Sequence, residues 1–169
     1  MSVFGRPVKG PFRAELTVRK GESDSGCYPG VYITGSSPIK QMIGFVVRPD
    51  GGVHLYASGS SNMNVWDGVT VGKSKGNSTQ TETNLRVTRD AEGTLRFFCR
   101  NEVTNNKWVE CYTFVGGTNC VAEGGAQATG LCTLTDKTLY VGFGGYGTKT
   151  VAHDLKIREG TPGFMLLLR

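Results

Sequence analysis

The sequence predicts an all-β protein, a sandwich or barrel of short antiparallel strands. Three observations lead there. Apolar and polar residues alternate with a period of two in several short stretches, no i, i+3, i+4 stripe persists long enough for a helix, and the 25 glycines gather with Asn, Asp and Ser between those stretches. At 169 residues one domain with one core is expected, with hydrophobic residues at 38% and charged residues at 20%. Mean hydropathy is −0.22, which fits a soluble globular chain and neither a membrane span nor a disordered tail.

Residues 1–11 (MSVFGRPVKGP) lack the alternation and read as a basic N-terminal arm. The sandwich is expected over residues 12–159. Its first strand is Phe12 to Arg19, where Phe12, Ala14, Leu16 and Val18 alternate with Arg13, Glu15, Thr17 and Arg19. Met42 to Val47, the turn Pro49-Asp50-Gly51-Gly52 and Val53 to Ala57 make a hairpin, because Pro presets one turn dihedral and Gly takes positive φ. A second hairpin runs from Asn84 to Thr88, turns over Asp90 to Gly93 and returns along Thr94 to Arg100. Lys107 to Phe114, Thr138 to Phe143 and Thr150 to Ile157 supply three more strands, the last with Val151, His153, Leu155 and Ile157 on one face. Two irregular stretches, Ser58 to Asn64 and Gly116 to Gly130, read as surface loops, where a sandwich usually holds its function. Residues 160–169 break at Gly160 to Gly163 and then add the apolar run Phe164 to Leu168, a tail that closes a sheet edge or docks on a partner.

The net charge of +5 is concentrated at the start, where residues 1–20 hold five basic residues against Glu15 alone. No aromatic RNA-binding motif, Cys/His finger or recognition-helix pattern accompanies it, so nucleic acid is not the expected partner. The N-terminus has no apolar signal region and no stretch is long enough to span a membrane, which favours a cytoplasmic or unconventionally secreted protein. The five cysteines, Cys27, Cys99, Cys111, Cys120 and Cys132, include no C-x-x-C pair, so a zinc site is not expected. Thiols are the default, with Cys111 and Cys120 or Cys99 and Cys132 able to pair in an oxidising compartment.

The segments FRAELTVRK, MIGFVVRPDGGVHLYA, NLRVTRDAEGTLRFFCR and LYVGFGGYGTKTVAHDLKIRE together resemble the concanavalin A-like, laminin G-like jelly-roll superfamily. That resemblance implies an antiparallel two-sheet β-sandwich, a lectin-like jelly roll, in a family that includes sugar-binding lectins, glycan hydrolases and protein-interaction domains. The hydrolases need two carboxylates facing one bond, and the only Glu-x-Asp, Glu22-Ser23-Asp24, sits in a Gly/Ser turn. His153 and Asp154, adjacent in a strand, are expected on opposite faces and hence unable to form a relay. Asp50, Asp67 and Asp154 could meet around calcium, but scattered acids make a metal-independent protein without cofactor the expectation.

A sugar site asks for an aromatic face and a few polar groups for the hydroxyls. His54 and Tyr56 share one face of their strand, and the next loop delivers Asn62, Asn64 and Trp66. Trp108, Glu110 and Tyr112 share a face later on, beside Arg96 and Arg100. The Trp108 and Glu110 pair is loosely similar to the galectins, although their His-x-Asn-Pro-Arg signature is absent and the Trp-to-Glu spacing is shorter. The expected function is non-catalytic carbohydrate binding through His54, Tyr56, Asn62, Asn64, Trp66, Arg96, Trp108 and Glu110, with a glycan or glycoprotein as partner. The alternative is a structural or protein-interaction subunit of a homo-oligomer or larger assembly, docking through the two terminal segments.

Overall fold

The computed structural model describes residues 2–19, 28–35, 41–49, 51–58, 69–73, 82–115, 134, 137–145 and 151–160. Among these residues, eleven strands form two antiparallel sheets. They are β1 (Ser2–Lys9), β2 (Phe12–Arg19), β3 (Gly30–Thr34), β4 (Met42–Val47), β5 (Val53–Ser58) and β6 (Val69–Lys73), followed by β7 (Glu82–Arg89), β8 (Leu95–Arg100), β9 (Val109–Phe114), β10 (Thr138–Gly145) and β11 (Val151–Glu159). The six-stranded sheet has the order β1-β10-β3-β4-β5-β6 and the five-stranded sheet β11-β2-β7-β8-β9. The expected β-sandwich is therefore present.

Alternation decides which side chains meet between the sheets. Phe12, Ala14, Leu16 and Val18 from β2 face Ile43, Phe45 and Val47 from β4 and Val53 and Leu55 from β5 in one core. Phe45 is fully buried at its centre, edge-on to Phe97 at 5.3 Å and to Tyr112 at 6.1 Å between ring centroids. Strands β3 and β4 are buried on both faces, so GVYI runs apolar without alternation before Thr34.

Residues 2–9, expected as part of an arm outside the sandwich, instead form β1 and pair with β10 over their whole length, from Ser2 opposite Gly145 to Lys9 opposite Thr138. The basic residues that suggested an arm lie on an edge strand, where charged side chains keep contact with water. Arg6 bonds the Glu159 carboxylate at 2.8 Å and the Ile157 carbonyl at 3.3 Å, clipping β1 to β11 across the sandwich edge. The tail at 161–169 lies outside the described residues, as do the loop at 59–64 and the stretch 116–130.

Of three register shifts among the described strands, those in β11 and β9 change the phase of strands that the sequence reads as regular. In β11 the register slips between His153 and Lys156, and Asp154 adopts φ of 58°. Ala152, Leu155 and Ile157 consequently pack on the core, while His153 and Asp154 are both exposed. This corrects the expectation that the two point to opposite faces. In the pairing of β8 with β9 the register slips between Phe97 and Phe98, which leaves Cys111 as the extra residue. Tyr112 therefore turns inward, its hydroxyl donating to the Val53 carbonyl at 3.3 Å, and it leaves the face that Trp108 and Glu110 keep. Cys111 comes to lie 3.3 Å from Cys99, sulfur to sulfur, with both thiols free. That neighbour differs from both expected pairings, whose other members, Cys120 and Cys132, fall outside the described residues.

Candidate functional site

The expected site residues divide between the two outer faces of the sandwich. On β5, Val53 and Leu55 enter the core and His54 and Tyr56 point outward, as their alternation requires. Their rings are stacked at 5.9 Å with 14° between planes, and Tyr28 meets Tyr56 edge-on at 5.9 Å. Tyr28, Tyr32, Met42 and Val46 complete a second apolar cluster on this face. Tyr32 donates its hydroxyl to the Tyr28 carbonyl at 2.8 Å, and burial pushes its phenol well above the ordinary tyrosine range. His54 is only 5% exposed, so it packs within this face, and Tyr56 is the half-buried member at its margin. Asn62, Asn64 and Trp66 lie outside the described residues, as do Asp50, Asp67 and the Glu22 to Asp24 turn.

The opposite outer face, on the five-stranded sheet, is open and charged. Leu95, Phe97 and Cys99 of β8 are buried, which sends Arg96, Phe98 and Arg100 outward. Trp108 reaches the same face from the loop before β9. That loop is held by reciprocal hydrogen bonds, Asn101 N–H to Thr104 Oγ1 at 3.0 Å and Thr104 N–H to Asn101 Oδ1 at 3.2 Å. Asn105 and Asn106 supply the two positive φ values that return the chain to the sheet, a conformation Asn tolerates better than most residues.

Trp108 is half-buried, with the Arg86 guanidinium 3.7 Å and the Arg100 guanidinium 4.9 Å from its ring centroid. Arg86 is fixed by donating from Nε to Glu15 at 2.7 Å, and Arg13 donates to the same carboxylate oxygen at 2.8 Å. Burial acts to raise the Glu15 carboxyl, but the hydrogen bonds from Arg13 and Arg86 outweigh it and hold the group below its ordinary value. Glu110 is exposed beside Phe98 and accepts from the Thr113 hydroxyl. Arg96 is paired with Asp90 at 2.9 Å at the far end of β8. The structure thus sets Arg96, Trp108 and Glu110 on one outer face, opposite the one that carries His54 and Tyr56, but keeps Arg96 at its far end, away from Trp108. Sequence reasoning missed Arg86, although its outward place in NLRVTR, opposite Phe98, was the available signal.

The bulge of β11 builds a further charged group on this face. His153 Nδ1 lies 3.0 Å from Asp154 Oδ2, and Nε2 lies 3.4 Å from Glu82 Oε1, which also accepts from Arg19 at 3.1 Å. The hydrogen bond to Asp154, then that to Glu82, raises the His153 pKa above its ordinary 6.5. The stabilisation this gives is complete below the unfolded value and is lost as pH rises through the higher folded value. An NMR titration of the imidazole should show a midpoint above 6.5, and Glu82→Gln should bring it down; a wild-type midpoint at or below 6.5 would refute the contact.

Among the described residues, no three His, Cys, Asp or Glu side chains are grouped to hold a metal ion. No helix there is long and apolar enough to cross a membrane.

No protein-family model matches the sequence, and no curated protein does. Similarity is found among solved structures. A GH43 protein, BlXynB from Bacillus licheniformis, superposes with a TM-score of 0.53 at 14% identity over 87% of this chain. A mutant of the same protein gives 0.52 at 16% identity, again over 87% of the chain. This chain spans 26% of the length of those structures. Sheep galectin-11, solved in complex with glycerol, matches over 93% of this chain and 96% of its own at 11% identity with a TM-score of 0.44. At these identities the likeness is one of fold.

Proposed function

We propose that this protein is a non-catalytic, lectin-like carbohydrate-binding module whose sugar lies on the outer face of the five-stranded sheet against Trp108. The observation that supports this is the placement of a half-buried tryptophan on the solvent side of a sheet, beside Arg86, Arg100 and Glu110. An indole in the core would serve packing alone, whereas here Arg86 and Arg100 lie over the ring and the part they leave exposed offers an apolar edge to the C–H groups of a sugar. Arg100 donates to hydroxyls and Glu110 accepts from them, which orients the ring. Because one fold hosts many functions, the reading rests on this site.

The test is a broad glycan array with the full chain, with and without EDTA, repeated with Trp108→Ala. The wild type should bind a related set of glycans independently of EDTA. Trp108→Ala should weaken binding at least tenfold, about 1.4 kcal/mol, with the thermal midpoint moved by only a few degrees. Unchanged binding by the variant would remove Trp108 from the site, and a collapse of its folding would make the residue structural.

A second reading, a protein-interaction subunit, is favoured by Phe4 and Phe143. They stack at 5.8 Å on paired strands β1 and β10 and are 64% and 37% exposed. A blank array from a folded protein would shift the assignment to it.

A further inference from the structure

One end of the sandwich holds a hollow that the proposed sugar face does not use. It is a pocket of about 520 Å³ between the β1–β2 connection and the β7–β8 turn, lined by Lys9, Gly10, Arg89, Asp90, Lys137 and Thr138 among others. The topology gathers these residues from three distant parts of the chain. Lys9 ends β1 opposite Thr138 of β10, so Lys137 stands next to it across the edge of the six-stranded sheet. Arg89 ends β7 and donates from Nη1 to the Lys137 carbonyl at 3.3 Å, which holds its guanidinium at the pocket wall.

Among the described residues, the charges that line this hollow do not balance. Asp90, the carboxylate in its lining, is bonded to Arg96 at 2.9 Å and to the Thr94 N–H at 2.8 Å. The nearby Glu159 is taken by Arg6 at 2.8 Å. No ion pair among the described residues involves the Lys9 or Lys137 ammonium. Lys9, Arg89 and Lys137 present positive charge to one concave surface, which concentrates its field. The volume falls in the range of small-ligand sites, so the hollow has room for a whole sugar ring as well as for its acidic group.

From this charge and shape we infer that the pocket binds the acidic end of a glycan, a sugar unit bearing a sulfate ester or a carboxylate, with Lys9, Arg89 and Lys137 around the anionic group. The sugar half of this assignment rests on the carbohydrate-binding reading; the anion half stands on the pocket alone. β8 runs between the two sites, although its own residues do not line the pocket. Arg100 beside Trp108 and Arg96 beside Asp90 point outward on the same strand, about 13 Å apart at the usual rise per residue.

The experiment titrates the full chain with a sulfated oligosaccharide, its desulfated counterpart and sodium sulfate at constant ionic strength, following the amide resonances of Gly10 and Ala91. The same series is run on the double variant Lys9→Gln/Lys137→Gln. Both lysines are exposed, so the variant should fold with its thermal midpoint nearly unchanged. The expected result is that the sulfated ligand shifts both amides, that its desulfated form binds at least tenfold more weakly, and that the double variant loses that difference. Equal binding of the two oligosaccharides, or a variant that still prefers the sulfated form, overturns the pocket and leaves the Trp108 site standing. Shifts from sodium sulfate with no binding of either oligosaccharide overturn the assignment to a sugar, together with the reading on which it rests.

Discussion

Replacing Phe45 by alanine is expected to cost about 3–5 kcal/mol of folding stability, the usual toll for removing a fully buried aromatic ring. The ring sits mid-strand in β4 with no exposed surface, where it joins the two sheets by edge-on contact with Phe97 and Tyr112. Its loss removes apolar burial and two aromatic contacts at once. It also leaves a cavity that paired strands on both sides keep from collapsing. Against a typical total of about 5–15 kcal/mol, such a loss approaches the limit of folding. Urea denaturation should show a lower midpoint at nearly unchanged slope, while Phe4→Ala, at the exposed edge, should leave the midpoint in place. A Phe45→Ala midpoint close to wild type would contradict the packing.

Gly30→Ala is expected to disrupt the pairing of β3 with β4. A Cβ at Gly30 would stand 2.1 Å from the Phe45 carbonyl oxygen and 2.7 Å from the Val46 Cα. Both are backbone atoms of the neighbouring strand, so no side-chain rotation relieves the clash. The strands must separate, and the cost should reach or exceed the ~1–3 kcal/mol of ordinary overpacking. Amide hydrogen exchange should accelerate at residues 30–34 and 42–46 before the rest of the sheet responds. Gly10→Asn makes the control. Gly10 has φ of 69°, which Asn tolerates, and nothing lies within 4 Å of a Cβ built there. Equal stability of the two variants would argue against the close approach of β3 to β4.

The strands legible in the sequence are those with one wet face and one dry face. Phe12 to Arg19 alternates without a break and is β2, and the hairpins β4–β5 and β7–β8 follow from their turn residues. Strand β3 went unread because it is buried on both sides, and a short apolar run has no period to detect. In β1 the alternation is obscured by Gly5, Pro7 and basic residues, all of which an edge strand accepts. The bulges were the deeper obstacle. One extra residue reverses the face of everything beyond it, so Tyr112 moved into the core and His153 out of it without any local signature.

The candidate sites divide in the same way. Arg96, Trp108 and Glu110 could be placed on one surface because the alternation of β8 and the run into β9 survive as far as the bulge. Arg86 needed the pairing of β7 with β8 to reach Trp108. Lys9, Arg89 and Lys137 share no pattern, since each merely ends or precedes a strand, and only the crossing of the chain between sheets makes them neighbours.

The pairing of β1 with β10 and of β2 with β11 sets the order in which the molecule can be made. During synthesis the first two strands leave the ribosome long before their partners exist. The hairpins β4–β5 and β7–β8 can close as they emerge, but β1 finds its neighbour only after residue 138 and β2 acquires its second one only after residue 151. Contacts of such separation are slow to form, which points to folding over milliseconds to seconds. A nascent chain halted before β10 therefore exposes the β1 edge and one side of β2, and it is at this stage that a chaperone would have most to hold.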